Sequence, residues 1–282
     1  MASARAGFRA DGQRIEFTER ITIMNIQAVP RIDSLRDAVS PEEWELRVEL
    51  AAAHRLMAHF GIQDLTHNHL TARVPGEPGR MLIKPADFMF DEVAASSLLK
   101  FDFDGNPVGH DGAKLRGGGL IIHAGLFAAR PDINVCFHTH TPAIIGVASQ
   151  KNGLLPINQH GIRFVGNIAY HDFGGFEFDM EMRAPLVRDL GTKKIALLRN
   201  HGSLVCGTSV GEAFVNHHNL EFACQAQIAA LAGGADVVLI SDEVRAYIDR
   251  QRGANSDRLG GGGKDWQSCL RMANRLFPDF QD

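Results

Sequence analysis

The sequence predicts an α/β fold, a mixed and largely antiparallel sheet covered by helices. Three observations carry that expectation. Short strand-like runs alternate with helical runs along most of the 282 residues. Neighbouring strand runs are often joined by tight turns, too short for the crossover that a parallel pair needs. Apolar residues make up 45% and charged residues 22%, a globular balance that can bury a core without disulfides or metal staples. At roughly 150 residues per domain the length allows one or two domains.

The elements follow in order. Residues 1–38 have weak periodicity and read as an N-terminal arm suited to packing on a neighbouring subunit. Ser40 can cap a helix, Pro41 fits its first turn, and Glu43 completes a capping box. Leu46, Val48, Leu50, Ala53, Leu56, Met57 and Phe60 supply the apolar stripe, and Gly61 is the stop. Strand-like runs come next at Asn68–Val74, Met81–Lys84 and Leu98–Phe103, punctuated by Gly76, Pro78, Gly79 and the turn Asp104-Gly105-Asn106-Pro107. Leu120–Arg130 reads as a helix opened by three glycines and closed by Pro131. Val135–His138 is a strand, Pro142–Gln150 a helix, and Phe164–Tyr170 a bent run broken at Gly166. Met180–Leu190 is helical despite Pro185, and Ile195–Leu198 and Ser203–Val205 are strands around a His-Gly break. A long helix over Val210–Leu231 precedes two weaker ones near Asp242–Arg250 and Trp266–Leu276. The chain thus divides into an arm (1–38), a domain (39–252), and a Gly-rich linker with a C-terminal helical tail (253–282).

Composition excludes several classes. Lys plus Arg is 29 and Asp plus Glu is 33, a net charge of −4 that argues against nucleic acid or an anionic membrane as partner. The four cysteines, Cys136, Cys206, Cys224 and Cys269, are widely spaced and read as reduced thiols. No apolar stretch approaches the ~18 residues of a membrane span, and Asp11 and Glu16 interrupt the basic N-terminus, so the expected location is the cytoplasm. Gly260–Gly263 with Lys264 superficially suggests a phosphate loop, but Asp265 stands where Ser or Thr is needed; it reads as a linker.

Thirteen histidines are many for this length. His138-Thr139-His140 closes a strand, where residues two apart point to one side, so two imidazoles can face one point. His201 follows another strand, beside Gly202, and could supply a third. Three His ligands with an open position suit catalytic zinc, and imidazole also suits iron, nickel or copper.

The runs FHTHTPAIIGVAS, NQHGIRFVGNIAYHDFGG, LLRNHGSLVCGTSVGEAF and LTHNHLTARVPG resemble the class II aldolase/adducin family, over about residues 42–235. The resemblance implies a three-layer α/β/α domain around a mainly antiparallel sheet, and homotetramers with sites between subunits. It also implies a divalent metal, zinc first with iron or manganese as alternatives, held by His138, His140 and His201. One departure matters. The family's sugar-phosphate aldolases carry a catalytic Glu four residues before the His that matches His123; here that position is Gly119. Their Ser and Thr phosphate donors are replaced by Gly117, Gly118, Pro85 and Ala86. In these segments the chain is closer to the adducin-like branch.

The remaining candidates are read against plainer alternatives. Arg116-Gly117-Gly118-Gly119 opens a helix and either binds an anion or is simply a turn that needs glycine. Asn68 matches a family position near the substrate anion, and Lys84 is a further cationic donor. His67 and His160 are acid/base candidates or hydrogen-bonded structural residues. Tyr170 and His171 lie where the family draws a proton donor from an adjacent subunit, while His217 and His218 read as packing residues in the long helix. The expected function is a metal-dependent lyase cleaving a C–C bond, by decarboxylation or retro-aldol chemistry, in a small non-phosphorylated hydroxy- or oxo-acid. Proton transfer would fall to Tyr170, His171 or His160. The substrate carboxylate would meet Asn68, Lys84, Arg116, Gly117 and Gly118. An Fe(II)-dependent oxygenase on the same three histidines and a non-catalytic adducin-like interaction module are the alternatives.

Overall fold

The computed structural model describes residues 33–112, 114–254 and 263–282. Seven strands are present: β1 His69–Arg73, β2 Arg80–Ile83, β3 Leu99–Asp102, β4 Val135–Thr139, β5 Ile168–His171, β6 Ile195–Leu198 and β7 Gly202–Gly207. They form one sheet in the order β3-β2-β1-β4-β7-β6-β5. All neighbours are antiparallel except β5 and β6. Among neighbours that follow one another directly in the chain, that parallel pair is the one whose connection contains an α-helix, as a parallel crossover requires.

The described helices are α1 Asp33–Ala38, α2 Pro41–His59, α3 (Gly119–Ala124 wound as a π-helix, then Gly125–Ala129 as an α-helix), α4 Pro142–Ala148, α5 Arg183–Leu190, α6 Val210–Leu231, α7 Asp242–Ala254 and α8 Gly263–Leu276. Strand alternation sends side chains into two cores. Leu70, Ala72, Val135, Phe137, Leu197 and Val205 pack beneath α2, α4, α6 and α8. Cys136, Ala169, Ala196, Leu198, Leu204 and Cys206 pack against α3 and α5 on the opposite face. The sheet is therefore the middle of three layers, and the expected fold class holds. Trp266, Ala273 and Phe280, from α8 and the turn after it, lie in the same core as α2. No described helix is long and apolar enough to cross a membrane.

The long helix runs over Val210–Leu231, capped by the Ser209 side chain, which accepts the Glu212 N–H. Ser40 likewise accepts the Glu43 N–H at 3.1 Å, a cap that contributes about 1 kcal/mol. The second half of the expected capping box is absent. The Glu43 carboxylate is buried and pairs with Arg47, one turn along the same helix, at 2.8 Å and with Lys100 of β3 at 2.6 Å, so these charge partners outcompete the cap. The expected arm before residue 33 and the Gly260–Gly262 linker lie outside the described residues.

Candidate metal centre

The site begins with strand alternation. On β4, Val135 and Phe137 enter the α6-side core, so Cys136 and His138 face α3. His140 lies one residue beyond the strand. His201 sits in the tight turn between β6 and β7, following Asn200, whose φ of 59° is unusual for a residue with a side chain. Gly202 is required there: a Cβ would lie 2.3 Å from the Thr139 carbonyl oxygen, so only glycine lets β7 start this close to the end of β4. That close approach brings His201 to the β4 histidines.

The three rings converge through their Nε2 atoms. His140 Nε2 is 2.8 Å from His138 Nε2 and 3.1 Å from His201 Nε2. Each Nδ1 has an oxygen neighbour outside the cluster. His138 Nδ1 donates to the Ser203 carbonyl at 2.9 Å, and His140 Nδ1 donates to Asp64 Oδ2 at 3.1 Å. His201 Nδ1 lies 3.2 Å from Glu177 Oε1. With the Nδ1 atoms protonated, three lone pairs meet at hydrogen-bond distance with no proton between them, an arrangement that a central cation relieves. Oxygen partners that fix the tautomer are what metal-bound imidazoles require, and the residues present fit a divalent ion. Burial holds His138 well below the ordinary imidazole pKa, with neighbouring histidines adding to the effect; burial and His140 bring His201 down to about 4. Both are therefore neutral, as ligands must be. Burial also pushes the Glu177 carboxyl up.

A second imidazole pair adjoins the first. His69 is directly opposite His138 across the β1–β4 ladder, their ring centroids 5.0 Å apart. His69 Nδ1 meets His123 Nε2 at 2.7 Å, and His123 Nδ1 meets Thr71 Oγ1 at 2.5 Å. Thr71 Oγ1 also donates to the Cys136 carbonyl at 3.3 Å. The glycine turn has a job beside this pair: a Cβ on Gly118 would lie 2.7 Å from His69 Nε2. A Cβ on Gly119 would lie 3.0 Å from Ile83 and 3.1 Å from Leu115, so position 119 is enclosed by apolar side chains.

The other sequence candidates distribute unevenly. Asn68 is fully buried; its Oδ1 accepts the His140 backbone N–H at 3.0 Å, and its Nδ2 has no partner. Lys84 is buried and donates to the Thr66 and Pro85 carbonyls, and burial lowers its pKa to about 8. Arg116 is exposed, without an ion pair or hydrogen bond among the described residues, and Gly117 takes a φ of 60° with open space around it. His171 borders the same small cavity as His201 and donates to Asp189 Oδ2 at 2.7 Å, which holds Asp189 below the usual carboxylate range. Within this chain the Tyr170 hydroxyl is engaged elsewhere: it accepts the Leu154 N–H at 3.0 Å and packs over Gly153. His160 contacts Asn219 and Phe222 on α6 instead of the triad, and His67 is exposed. His217 is buried, its Nε2 2.6 Å from Thr139 Oγ1, while His218 is exposed on the same helix.

Sequence reasoning passed over Asp64, Glu177, His69 and Thr71. A signal existed for two of them, because His69 and Thr71 share the face of β1 that lies opposite His138. Leu65, at φ 45°, and Asn200 are the positive-φ non-glycine residues of the described chain, and each adjoins a residue of this cluster, Asp64 and His201 respectively. A separate cleft of about 1150 Å³ lies at the opposite end of β4, bordered by Asn134, Val135 and Val74.

Comparison with known proteins gives a consistent picture. A family model described as the Class II Aldolase and Adducin N-terminal domain matches residues 48–228. The chain is 39% identical over 250 residues to a Caulobacter vibrioides protein provisionally named an aldolase class 2 protein, covering 88% of this chain and 96% of that one. It is 37% identical to alpha-adducin of Rattus norvegicus over 90% of this chain but only 37% of adducin, so it spans about a third of that protein. Among solved structures, an aldolase II superfamily protein from Pseudomonas syringae superposes with a TM-score of 0.81 at 42% identity, covering 88% of this chain and 99% of that one.

Proposed function

The chain belongs to the class II aldolase and adducin family, and from that membership we propose that it is a divalent-metal-dependent carbon–carbon lyase acting on a small non-phosphorylated hydroxy- or oxo-acid. The observation that carries the reading is the convergence of His138, His140 and His201 through Nε2, with an oxygen neighbour beside each Nδ1. A purely structural domain gains nothing from three buried or half-buried imidazoles with facing lone pairs. A bound divalent ion would supply Lewis acidity toward adjacent substrate oxygens. Zinc is the first assignment, with iron or manganese as alternatives.

The chain's own residues support a carboxylate over a phosphate. Hydroxyl donors are missing at positions 85, 86, 117 and 118, while Arg116 is free to clamp a planar carboxylate by two parallel hydrogen bonds. The glycine turn at Gly117 and Gly118, the free Asn68 Nδ2 and Lys84 complete the proposed anion seat. Proton transfer falls first to His171, which reaches the cavity beside His201; Tyr170 and His160 could serve only a site on another subunit. The proposed assembly is a homotetramer. Phe176 and Phe178, exposed at 75% and 77% near His201, are the surface such an assembly would cover.

The test is metal content and turnover together. Single His138→Ala, His140→Ala and His201→Ala variants should stay folded and lose most bound metal, whereas native content in all three defeats the site. Matched carboxylate and phosphate substrates should show turnover of carboxylates only, weakened by Arg116→Ala. Iron after anaerobic purification with oxygen consumption would favour the oxygenase, and absence of stoichiometric metal would favour an adducin-like interaction module.

A further inference from the structure

The row of histidines does not stop at the triad. His69, His123 and Thr71 form a chain of three contacts that the proposed metal chemistry does not use, and its free end lies beside the glycine turn. Its protons can be placed by accounting for donors. The Thr71 hydroxyl has one proton, and the Cys136 carbonyl at 3.3 Å can only accept it. His123 Nδ1, 2.5 Å from the same oxygen, is then the donor. Its Nε2 is left with a lone pair, so His69 Nδ1 donates across the 2.7 Å contact. His69 Nε2 consequently presents a bare lone pair. The reversed arrangement leaves the Thr71 contact to Cys136 unmade; this one satisfies all three.

That lone pair has no partner among the described residues. Gly118, a member of the proposed carboxylate seat, lies against it, and the ring of His138, a member of the triad, is 5.0 Å from the His69 ring, centroid to centroid. His69 thus adjoins both the glycine turn and the triad, where a ligand reaching from one to the other would meet it. An acceptor at that point selects for a group that carries a hydrogen. We propose that His69 accepts a hydrogen bond from a substrate hydroxyl, so that the site takes a hydroxy acid in preference to the corresponding oxo acid, with His123 and Thr71 as the residues that fix its tautomer. The proposal rests on the carboxylate reading above. It adds a hydroxyl and the residue that recognises it.

An acceptor built for a hydroxyl discriminates strongly against an analogue that lacks one, because its lone pair is then left unpaired. Lactate and pyruvate differ in this group alone and serve as probes. Calorimetric titration of zinc-loaded protein should show lactate binding roughly tenfold more tightly than pyruvate, the lower part of what one unpaired buried acceptor costs. His69→Phe keeps the ring and should lose that preference through weaker lactate binding, with metal content unchanged. Thr71→Val removes the oxygen that orients His123 and should narrow the preference in the same direction. Independently of any ligand, nitrogen NMR of histidine-labelled, zinc-loaded protein should show His69 and His123 protonated at Nδ1. A proton on His69 Nε2, or equal binding of the two acids by wild type, would overturn the assignment. So would an equal loss of both acids in His69→Phe, or an unchanged preference in Thr71→Val. If wild type binds neither acid, the carboxylate reading itself fails, and this proposal with it.

Discussion

The outer partners of the triad offer a sharp quantitative test, because two of the three can be changed without touching a ligand. His138 is oriented by a main-chain carbonyl, but His140 relies on Asp64 and His201 on Glu177. Loss of such a partner commonly lowers metal affinity ~10–100-fold, or about 1.4–2.8 kcal/mol. The structure ranks the two. The Glu177 side chain is 21% exposed and that of Asp64 is 42%, so water can replace Asp64 more readily. Asp64→Asn, which keeps an acceptor oxygen and loses the charge, should sit near the tenfold end. Glu177→Gln should fall further toward ~100-fold. The assay is competition for zinc against a chromophoric chelator at fixed pH, with circular dichroism to confirm the fold. If both variants bind zinc with wild-type affinity, the Nδ1 contacts do not organise the site and the triad reading loses its main support.

Adjacent glycines should fail for different reasons. Gly118 has ordinary helical angles, φ −54° and ψ −35°, so Gly118→Ala would act only through the 2.7 Å approach to His69, destabilising by about 1–3 kcal/mol in urea unfolding and shifting the His69 resonances. Gly117→Ala, at φ 60° in open space, should cost ~1–2 kcal/mol and leave His69 undisturbed. Stability should also fall with acid. Burial holds His54 and His217 down at about 3, below the unfolded value of ~6.5, so their contribution is complete above that value and declines by up to about 1.4 kcal/mol per group per pH unit toward 3. His54→Phe should flatten the fall in urea midpoint between pH 6.5 and 5, and an unchanged slope would contradict the burial argument.

How much the sequence revealed depended on whether a feature was periodic. Helix α6 was legible from its long run of helix-forming residues, and the structure adds the Ser209 cap that starts it. The pair His138 and His140 was legible because spacing by two is the strand repeat. His201 needed a further clue, since its position follows from a turn, and the turn from Gly202 meeting the Thr139 carbonyl. Asp64 and Glu177 come from irregular loops whose course no local pattern dictates. His69 stayed hidden for a different reason. The His67-Asn68-His69 segment has the same spacing as the metal pair, but β1 begins only at His69, which leaves His67 exposed and turns His69 toward α3. Glu43 shows the reverse error, in which one local rule lost to another, the i,i+4 pair with Arg47, and to Lys100 brought in by the fold.

The glycines at 118 and 119 also change what the missing Glu means. Taken alone, Gly119 suggests a deletion of catalytic machinery from an otherwise unchanged site. The surroundings say otherwise. A Cβ at 119 would meet Ile83 and Leu115 at once, so any side chain there starts among tightly placed apolar groups. One residue earlier, the space that a side chain at 118 would need is taken by the His69 ring. That ring is anchored from behind by His123 and Thr71, both fully buried. Apolar packing around 119 and a polar relay against 118 are therefore parts of one arrangement. The first needs no side chain at 119, and the second needs none at 118. The side of the site next to His138 is thus built around the His69 imidazole, which is what the proposed non-phosphorylated substrate would require of this fold.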